Sequence, residues 1–277
     1  MTKQDTTLWD QQRNKIISKK GGWLIGDGVY CHGYEMMNEL VGKVSYMQVV
    51  VLNATGRLPE RRLAECIEAA HICLSWPDSR IWCNHIGALG GTMRASSVAS
   101  TVAGVLATDS RSYGIKPLKA GLSFIQAAML AFNNGVSVAD IVTNECAKHG
   151  GKPFIMGYGR PIAKGDERVP AMERVAKNLG FPVGAHLKLA YEIESVLDER
   201  FNEGMNINGY MSAFLSDQGF SPDEVYLICS TLVASGVTAC YVDMRNRPAG
   251  TFLPLRCDDV LYQGKPHRLL PEQKEEL

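Results

Sequence analysis

A glycine-rich turn that ends in an arginine is the part of the sequence best suited to chemistry. It is Gly157-Tyr158-Gly159-Arg160. Glycine has no Cβ, so such a turn lets backbone amides approach a ligand closely. The guanidinium of Arg160 can stabilise an alkoxide or bind a carboxylate through two hydrogen bonds, although it cannot shuttle a proton. We therefore predict that the turn presents Arg160 to a ligand carrying a carboxylate or a developing oxyanion.

Composition narrows the classes of partner. The chain has 277 residues, of which 45% are hydrophobic, enough for one large domain or a large and a small one. Its formal net charge is zero, so no global field favours nucleic acid or an anionic membrane. Residues 1–20 are polar and lack the pattern of a signal peptide, and no run of about 18 apolar residues occurs. These features predict a cytoplasmic protein without nucleic-acid or membrane partners.

The cysteine pattern gives no indication of a metal centre. There are eight cysteines, none in a C-x-x-C pair. Cys83-Asn84-His85 and Cys31-His32 bring two ligand types together, but each lacks a second half at zinc spacing. We therefore predict reduced thiols and no bound metal.

Apolar periodicity predicts an all-α fold. The predicted helices cover 34–52, 60–74, 87–108, 118–132, 138–148, 168–179, 183–202 and 222–244. The segment 87–108 is rich in small residues, which favours a central helix closely crossed by others; interleaved apolar residues argue against the alternative, a flexible linker. Two short runs, 49–51 and 154–156, could form strands but are too few for a sheet. The polar end, 271–277, is predicted to fray.

Several segments, in this order and spacing, resemble the citrate synthase and citryl-CoA lyase family. They are Gly33 to Tyr46, Thr55 to Pro59, Lys116 to Gly121, Phe154 to Arg168, Asn206 to Tyr210, and Asp258 to Tyr262. Residues 1–20 are predicted to form a polar N-terminal segment, and the resemblance implies a citrate synthase-like domain over 21–277. It also implies a large helical domain, a small lid subdomain at roughly 150–240, and a homodimer with active sites near the interface. The length is that of a compact citryl-CoA lyase.

The resemblance implies three catalytic positions, and all three are substituted here. Lys119 replaces a His that holds the thioester carbonyl, and Arg160 replaces a His that polarises the ketone of the second substrate. Asn208 replaces the Asp that moves the α-proton. A lysine or an amide can donate to an enolate oxygen, but an amide is no general base. The alternatives are that Lys119 is a surface residue and that Asn208 is a helix-end residue satisfied by backbone groups.

Two further departures concern the second substrate. Val233 stands where the family has an Arg that grips a keto-acid carboxylate, and Cys240 replaces a nearby His. Oxaloacetate or citrate is therefore not expected to be held in the usual way. An enzyme with this site also needs another base, and the candidates from neighbouring segments are Asp166, Asp243 and Glu203.

The coenzyme A side of the motifs is better retained. The residues expected to contact coenzyme A or an acyl-CoA substrate are Gly157, Tyr158, Gly159, Lys164, Arg168, Tyr262 and Gly264. Lys265 and Arg268 add further cations that can meet phosphates. For each cation, the alternative is a solvated surface charge.

Three functions are compatible with these residues. The first is a CoA-thioester enzyme that forms or cleaves a carbon–carbon bond to a carbonyl or carboxylate co-substrate, with an altered substrate range. The second is decarboxylation of a malonyl-type thioester, which produces the enolate without an α-proton base. The third is a non-catalytic, CoA-binding paralogue. Because fold does not determine chemistry, the sequence leaves all three open.

Overall fold

The structure is a computed structural model that describes residues 5–111, 113–160 and 164–268. The predicted fraying tail at 271–277 and residues 161–163 of the glycine-rich motif lie outside these ranges. Helix accounts for 56% of the chain and strand for 5%, so the predicted all-α class is confirmed. None of the helices within the described ranges is long and apolar enough to cross a membrane.

The N-terminal region carries the strands that the sequence analysis missed. After a short helix α1 (Thr7–Gln12), strands β1 (Gly21–Leu24), β2 (Gly28–Cys31) and β3 (Tyr34–Glu35) form an antiparallel meander in that order. A one-turn π-helix, Met36–Leu40, follows directly.

The first predicted long helix, at 34–52, was therefore wrong in its first half. Helix α2 (Tyr46–Thr55) begins only after Gly42, whose φ is +76°. Ser45 and Gln48 then form a capping box in which each side chain accepts from the other's backbone N–H. The same helix contains 49–51, so the predicted strand there was wrong because the cap and the burial of Val51 outweigh β-propensity. The other predicted strand, 154–156, lies in irregular structure and a turn.

The remaining α-helices follow the predicted order with two breaks. They are α3 (Arg61–Cys73), α4 (Trp82–Thr92), α5 (Ser97–Ala107), α6 (Ile115–Asn133), α7 (Val138–Ala147), α8 (Arg168–Asn178), α9 (Ala185–Phe201), α10 (Ile207–Asp217), α11 (Pro222–Ile228) and α12 (Ala234–Arg245). A 3-10 turn at Cys257–Asp259 lies in the extended C-terminal segment.

The predicted helix over 87–108 is two helices, α4 and α5. Arg94 adopts a left-handed φ of +60° between them, and its guanidinium donates to the Arg245 carbonyl at 2.6 Å. The predicted close crossing is present: a Cβ at Gly87 would lie 2.5 Å from the Val237 carbonyl oxygen, and one at Gly91 would lie 2.3 Å from that of Tyr241. Glycine at these positions lets α4 pack directly on the backbone of α12.

The predicted helix over 222–244 is also split, into α11 and α12. No glycine or proline marks the break at 229–233. Instead, Cys229 and Leu232 pack in the largest hydrophobic cluster, whereas the next residue, Val233, packs in a separate cluster with Cys83 and Val237. Tertiary burial therefore ends α11 here.

The largest hydrophobic core joins α2, α3 and α6 to α11, and includes Leu122 and Phe214. It draws on residues both inside and outside 150–240, so the lid subdomain predicted for that range stays a prediction. A smaller cluster of Cys83, Val233 and Val237 joins α4 to α12.

Candidate active site

The glycine-rich turn packs against the start of α10. Gly157 has a φ of +101°, and a Cβ there would lie 2.6 Å from the Cα of Gly209. The Gly157 carbonyl accepts from the Asn206 N–H at 3.0 Å, and the Gly159 N–H donates to the Gly204 carbonyl at 2.8 Å. Because both contact points are glycines, the two backbones can touch, and the turn is held on the N-terminus of α10.

The first backbone N–H groups of α10 already donate to acceptors within the protein. The Asn206 side chain accepts from the N–H groups of Asn208 at 2.9 Å and Gly209 at 3.2 Å, and Asp166 accepts from that of Ile207 at 2.9 Å. These bonds complete the cap and hold Asn208 in place at the first turn. A ligand at this site would therefore meet side chains rather than free helix amides.

A cavity of about 860 Å³ opens beside this turn. Its walls are mainly apolar, with Ile115, Leu118, Met211 and Leu215 among them. The cavity falls within the size range of small-molecule and cofactor sites, about 300–1,000 Å³. Gly157, Tyr158, Gly159, Arg160, Arg168 and Asn208 all line it, so the structure brings together the predicted residues of the turn and of α10.

Asn208 presents an amide to the cavity. Its Oδ1 accepts from the Ser212 hydroxyl at 3.1 Å. Gly121 allows this contact, because a Cβ there would lie 2.5 Å from the Ser212 oxygen. Among the residues that the structure describes, none accepts from Nδ2 of Asn208, so this nitrogen is available to donate to a ligand oxygen.

Arg160 lines the cavity but is held by acidic neighbours. Its guanidinium donates to both oxygens of Glu167, at 2.6 and 3.2 Å, and lies 3.8 Å from Asp166. The Glu167 hydrogen bond raises the pKa of Arg160, against the lowering effect of partial burial. Arg160 therefore stays charged, and a carboxylate ligand would compete with Glu167 for its bidentate face.

Asp166 serves the architecture of the site. Its side chain is fully buried, accepts from Arg168 at 2.7 and 2.8 Å, and lies outside the cavity lining. Burial acts to raise the pKa of Asp166, but the hydrogen bonds from Arg168 and from the Ile207 N–H outweigh it and lower the pKa. The geometry thus gives no support to Asp166 as a base, because the carboxylate is enclosed and committed to these partners.

Two cations that the sequence analysis did not select also line the cavity. Arg111 and Lys152 are exposed, and among the described residues no carboxylate lies within ion-pair distance of either. In the sequence, only their positions near the motifs could have identified them. Lys152 follows Gly150-Gly151 just before the glycine-rich turn, and Arg111 precedes the segment Lys116 to Gly121. They give this cavity an anion-attracting edge.

Other predicted site residues lie elsewhere. Lys119 is paired with Asp223 and lies 5.5 Å from the Tyr226 ring centroid, outside the cavity lining. Lys164 donates to Asp198 and Asn202, at 2.6 Å each. The geometry gives no support to catalysis by Lys119 or to ligand binding by Lys164 in this cavity.

The C-terminal residues that are predicted to contact coenzyme A are also absent from the cavity lining. Tyr262 is 75% exposed, and its hydroxyl donates to the Lys265 carbonyl. Gly264 is exposed beside it, as are Lys265 and Arg268. Their proposed contact with coenzyme A remains a prediction.

No group of three or more His, Cys, Asp or Glu side chains in the described part of the chain is arranged to hold a metal ion. Among the described residues that line the cavity there is one carboxylate, Glu203, which lies next to Gly159.

Comparison with known proteins connects this architecture to solved structures. No family model matches the sequence, and no curated protein matches it. The structure of citryl-CoA lyase from Hydrogenobacter thermophilus is similar with a TM-score of 0.77 and 24% identity, covering 92% of this chain and 97% of the lyase. The chain has the fold of the citrate synthase and citryl-CoA lyase family. The fold implied by the sequence motifs is thereby confirmed.

Other structures with the citrate synthase fold differ in length. ATP citrate lyase from Methanothrix soehngenii, solved with citrate and coenzyme A, has a TM-score of 0.71 and 18% identity; the match covers 99% of this chain but 46% of that one. Citrate synthase from Thermotoga maritima has a TM-score of 0.58 and 16% identity, with 82% of this chain and 60% of that one covered. The match therefore covers nearly the whole length of the citryl-CoA lyase, but only 46% of the ATP citrate lyase and 60% of the citrate synthase.

Proposed function

We propose that this chain is a CoA-thioester-dependent enzyme that forms or cleaves a carbon–carbon bond, with an altered substrate range. The observation that carries the proposal is the cavity beside the glycine-rich turn, in a citrate synthase fold. Its apolar wall suits an acyl-pantetheine arm, while Arg111 and Lys152, which have no carboxylate within ion-pair distance among the described residues, offer cations for phosphates. In this proposal the amide of Asn208, whose Nδ2 has no acceptor among the described residues, donates to the thioester oxygen.

The second substrate is proposed to differ from a keto dicarboxylate bound in the usual way. Val233 is 2% exposed and lines the cavity, so it presents an apolar surface where the family resemblance implies an arginine. Arg160 also lines the cavity, but its guanidinium already donates to Glu167. These contacts favour a carbonyl co-substrate with fewer carboxylates.

The reaction class is tested with a panel of thioesters. Acetyl-, propionyl-, malonyl- and citryl-CoA are incubated in deuterated buffer, with and without keto acids, and followed by mass spectrometry. Deuterium uptake at the α-carbon, condensation or cleavage supports the proposal. Loss of carbon dioxide from malonyl-CoA alone indicates the decarboxylase alternative. Coenzyme A binding with no change in any thioester indicates a non-catalytic paralogue.

The proposed phosphate-binding role of Arg111 and Lys152 gives a direct binding prediction. Replacing both Arg111 and Lys152 with alanine is expected to weaken coenzyme A binding by about 10- to 100-fold, because charged hydrogen bonds are lost. Isothermal titration calorimetry measures the dissociation constant. Lys164→Ala is the matched control, since Lys164 is a lysine with its own surface partners away from the cavity. Equal affinity in the double variant and the control contradicts the assignment.

We further propose that the active form is a homodimer that pairs through the apolar α5 face, consisting of Val98, Val102 and Leu106. These residues recur every four positions along α5 and are 71%, 50% and 69% exposed. A stripe of this kind is unfavourable in water unless another surface covers it. A second copy of the chain supplies a matching surface by two-fold symmetry.

Charge placed on this face should separate the subunits. Val102→Glu is expected to convert a dimer to a monomer, because the carboxylate would be buried in an apolar interface. Analytical ultracentrifugation measures the mass. Ile72→Glu, at a site on α3 that is 69% exposed, serves as the control and should leave the dimer intact. A wild-type monomer, or a Val102→Glu dimer of unchanged affinity, would rule out this face.

A further inference from the structure

The three carboxylates predicted as alternative bases have different surroundings. Asp166 is enclosed and bound by Arg168. Asp243 lies on α12, pairs with Arg247 at 3.0 Å, and is outside the cavity lining. Glu203 lines the cavity, and no cation in the described part of the chain lies within ion-pair distance of it. Of the three, only Glu203 is therefore both accessible to a ligand in the cavity and without an ion-pair partner among the described residues.

The backbone directs Glu203 into this position. Helix α9 ends at Phe201, and the left-handed conformation of its C-cap residue Asn202 (φ 57°, ψ 37°) reverses the chain. The next residues are then pinned to the glycine-rich turn by the Gly159 N–H to Gly204 carbonyl bond and by the bridge between Tyr158 and Met205. These contacts fix the backbone next to Glu203 against the glycine-rich turn.

Gly159 leaves room for the carboxylate. A Cβ at Gly159 would lie 2.8 Å from Oε2 of Glu203, closer than such atoms pack. The Gly159 carbonyl accepts from Nδ2 of Asn206 at 2.8 Å, which fixes the turn on the other side. The glycine thus fits the Glu203 side chain as well as the left-handed turn.

The other titratable groups of the cavity are unsuited to accept a proton. Burial raises the pKa of the Cys229 thiol to about 12, and burial likewise raises the pKa of Tyr113 and of Tyr158, whose hydroxyl also donates to the Ala190 carbonyl. The arginines and Lys152 are cations. Glu203 is the one carboxylate among the described lining residues.

From this geometry we infer that Glu203 is the catalytic base for enolisation of the bound thioester, taking the part that Asn208 cannot perform. This inference rests on the proposed function. The carboxylate removes one α-proton; the electron pair of that C–H bond forms the carbon–carbon double bond of the enolate; and the thioester oxygen gains the negative charge, which Nδ2 of Asn208 stabilises. Return of a proton from the Glu203 carboxylic acid restores the thioester, so in deuterated water the α-position exchanges without a co-substrate.

The test compares α-deuterium exchange of acetyl-CoA and propionyl-CoA in the wild type, Glu203→Gln and Glu203→Asp. We expect Glu203→Gln to lower the exchange rate by about 10²- to 10⁴-fold. Glu203→Asp should retain part of the rate, because a carboxylate remains but is one methylene shorter. Asp243→Asn is the matched control and should exchange at the wild-type rate. Coenzyme A affinity and the melting curve are measured for every variant and should change little.

The outcomes separate the base assignment from the proposed function. Loss of exchange with intact coenzyme A binding in Glu203→Gln supports Glu203 as the base. Full exchange in that variant overturns the assignment while leaving the thioester enzyme in place. Coenzyme A binding without exchange in the wild type also overturns the base, and absence of coenzyme A binding in the wild type removes the proposed function itself.

Discussion

Asp166→Asn is expected to lower the free energy of unfolding by about 3–5 kcal/mol, the usual consequence of breaking a buried ion pair from one side. Asp166 is fully buried and accepts from both Arg168 and the Ile207 N–H. The asparagine side chain has the same shape and keeps one acceptor oxygen, but its NH₂ group would face the N–H donors of Arg168 or Ile207. The substitution also leaves the Arg168 charge without a counter-charge. Urea denaturation at neutral pH measures the difference.

The pH dependence of this difference has a defined sign. Because the pKa of Asp166 is lowered in the folded state, its contribution to stability is complete above the unfolded-state pKa, about 4. The contribution is lost as the pH falls from there through the folded pKa. The gap between the wild type and Asp166→Asn should therefore be constant above about pH 5 and narrow below about pH 4.

A surface carboxylate provides the control for both measurements. Asp243 pairs with Arg247, and both side chains are about half exposed, at 51% and 56%. Asp243→Asn is expected to change stability by less than about 0.5 kcal/mol at any of these pH values. If Asp166→Asn were no more destabilising than Asp243→Asn, Asp166 would not be the organising charge of the site.

Asn208→Leu is expected to reduce α-proton exchange of bound acyl-CoA by about 10²- to 10³-fold, the effect of removing one oxyanion donor. The leucine is of similar size but donates no hydrogen bond, and it also removes one acceptor of the Ser212 hydroxyl, which keeps the Leu118 carbonyl at 3.4 Å. The loss should appear in the rate at saturating thioester rather than in the affinity for the thioester, because the oxyanion forms only on enolisation.

The matched control for this substitution is Asn178→Leu, at an exposed position at the end of α8. It should leave both exchange and binding unchanged. A large loss of affinity for the acyl thioester at an unchanged maximal rate would indicate a ground-state contact instead of an oxyanion donor. An unchanged exchange rate would remove Asn208 from the reaction.

Much of the helical framework could be predicted from the sequence because its signals are local. Ser137 and Ser221 cap α7 and α11 by accepting from backbone N–H groups three residues away, and Gly135 takes a left-handed φ of +87° just past the end of α6. Such bonds form within one turn, so a few neighbouring residues determine them. The same holds for Gly157 and Gly159, whose left-handed backbone requires no distant information.

The helix breaks at 93–96 and 229–233 could not be predicted in this way. Arg94 is held by the Arg245 carbonyl, 151 residues away, and at the second break the chain passes from the largest core, which holds Cys229 and Leu232, to the smaller cluster that holds Val233. Apolar periodicity reports which residues prefer burial, but it does not report where the chain must turn to bury them.

The sequence by itself determined the fold class, the glycine-rich turn with Arg160, and the absence of an acidic side chain at position 208. Only the tertiary structure decided that Asp166 is enclosed, that Lys119 lies outside the cavity, and that Arg111, Lys152 and Glu203 line it. The physical reason is that residue type and local hydrogen bonding are properties of short segments. A side chain's partners and access to a ligand depend on packing between segments that lie far apart in the chain, as Asp166 and the Ile207 N–H do across 41 residues.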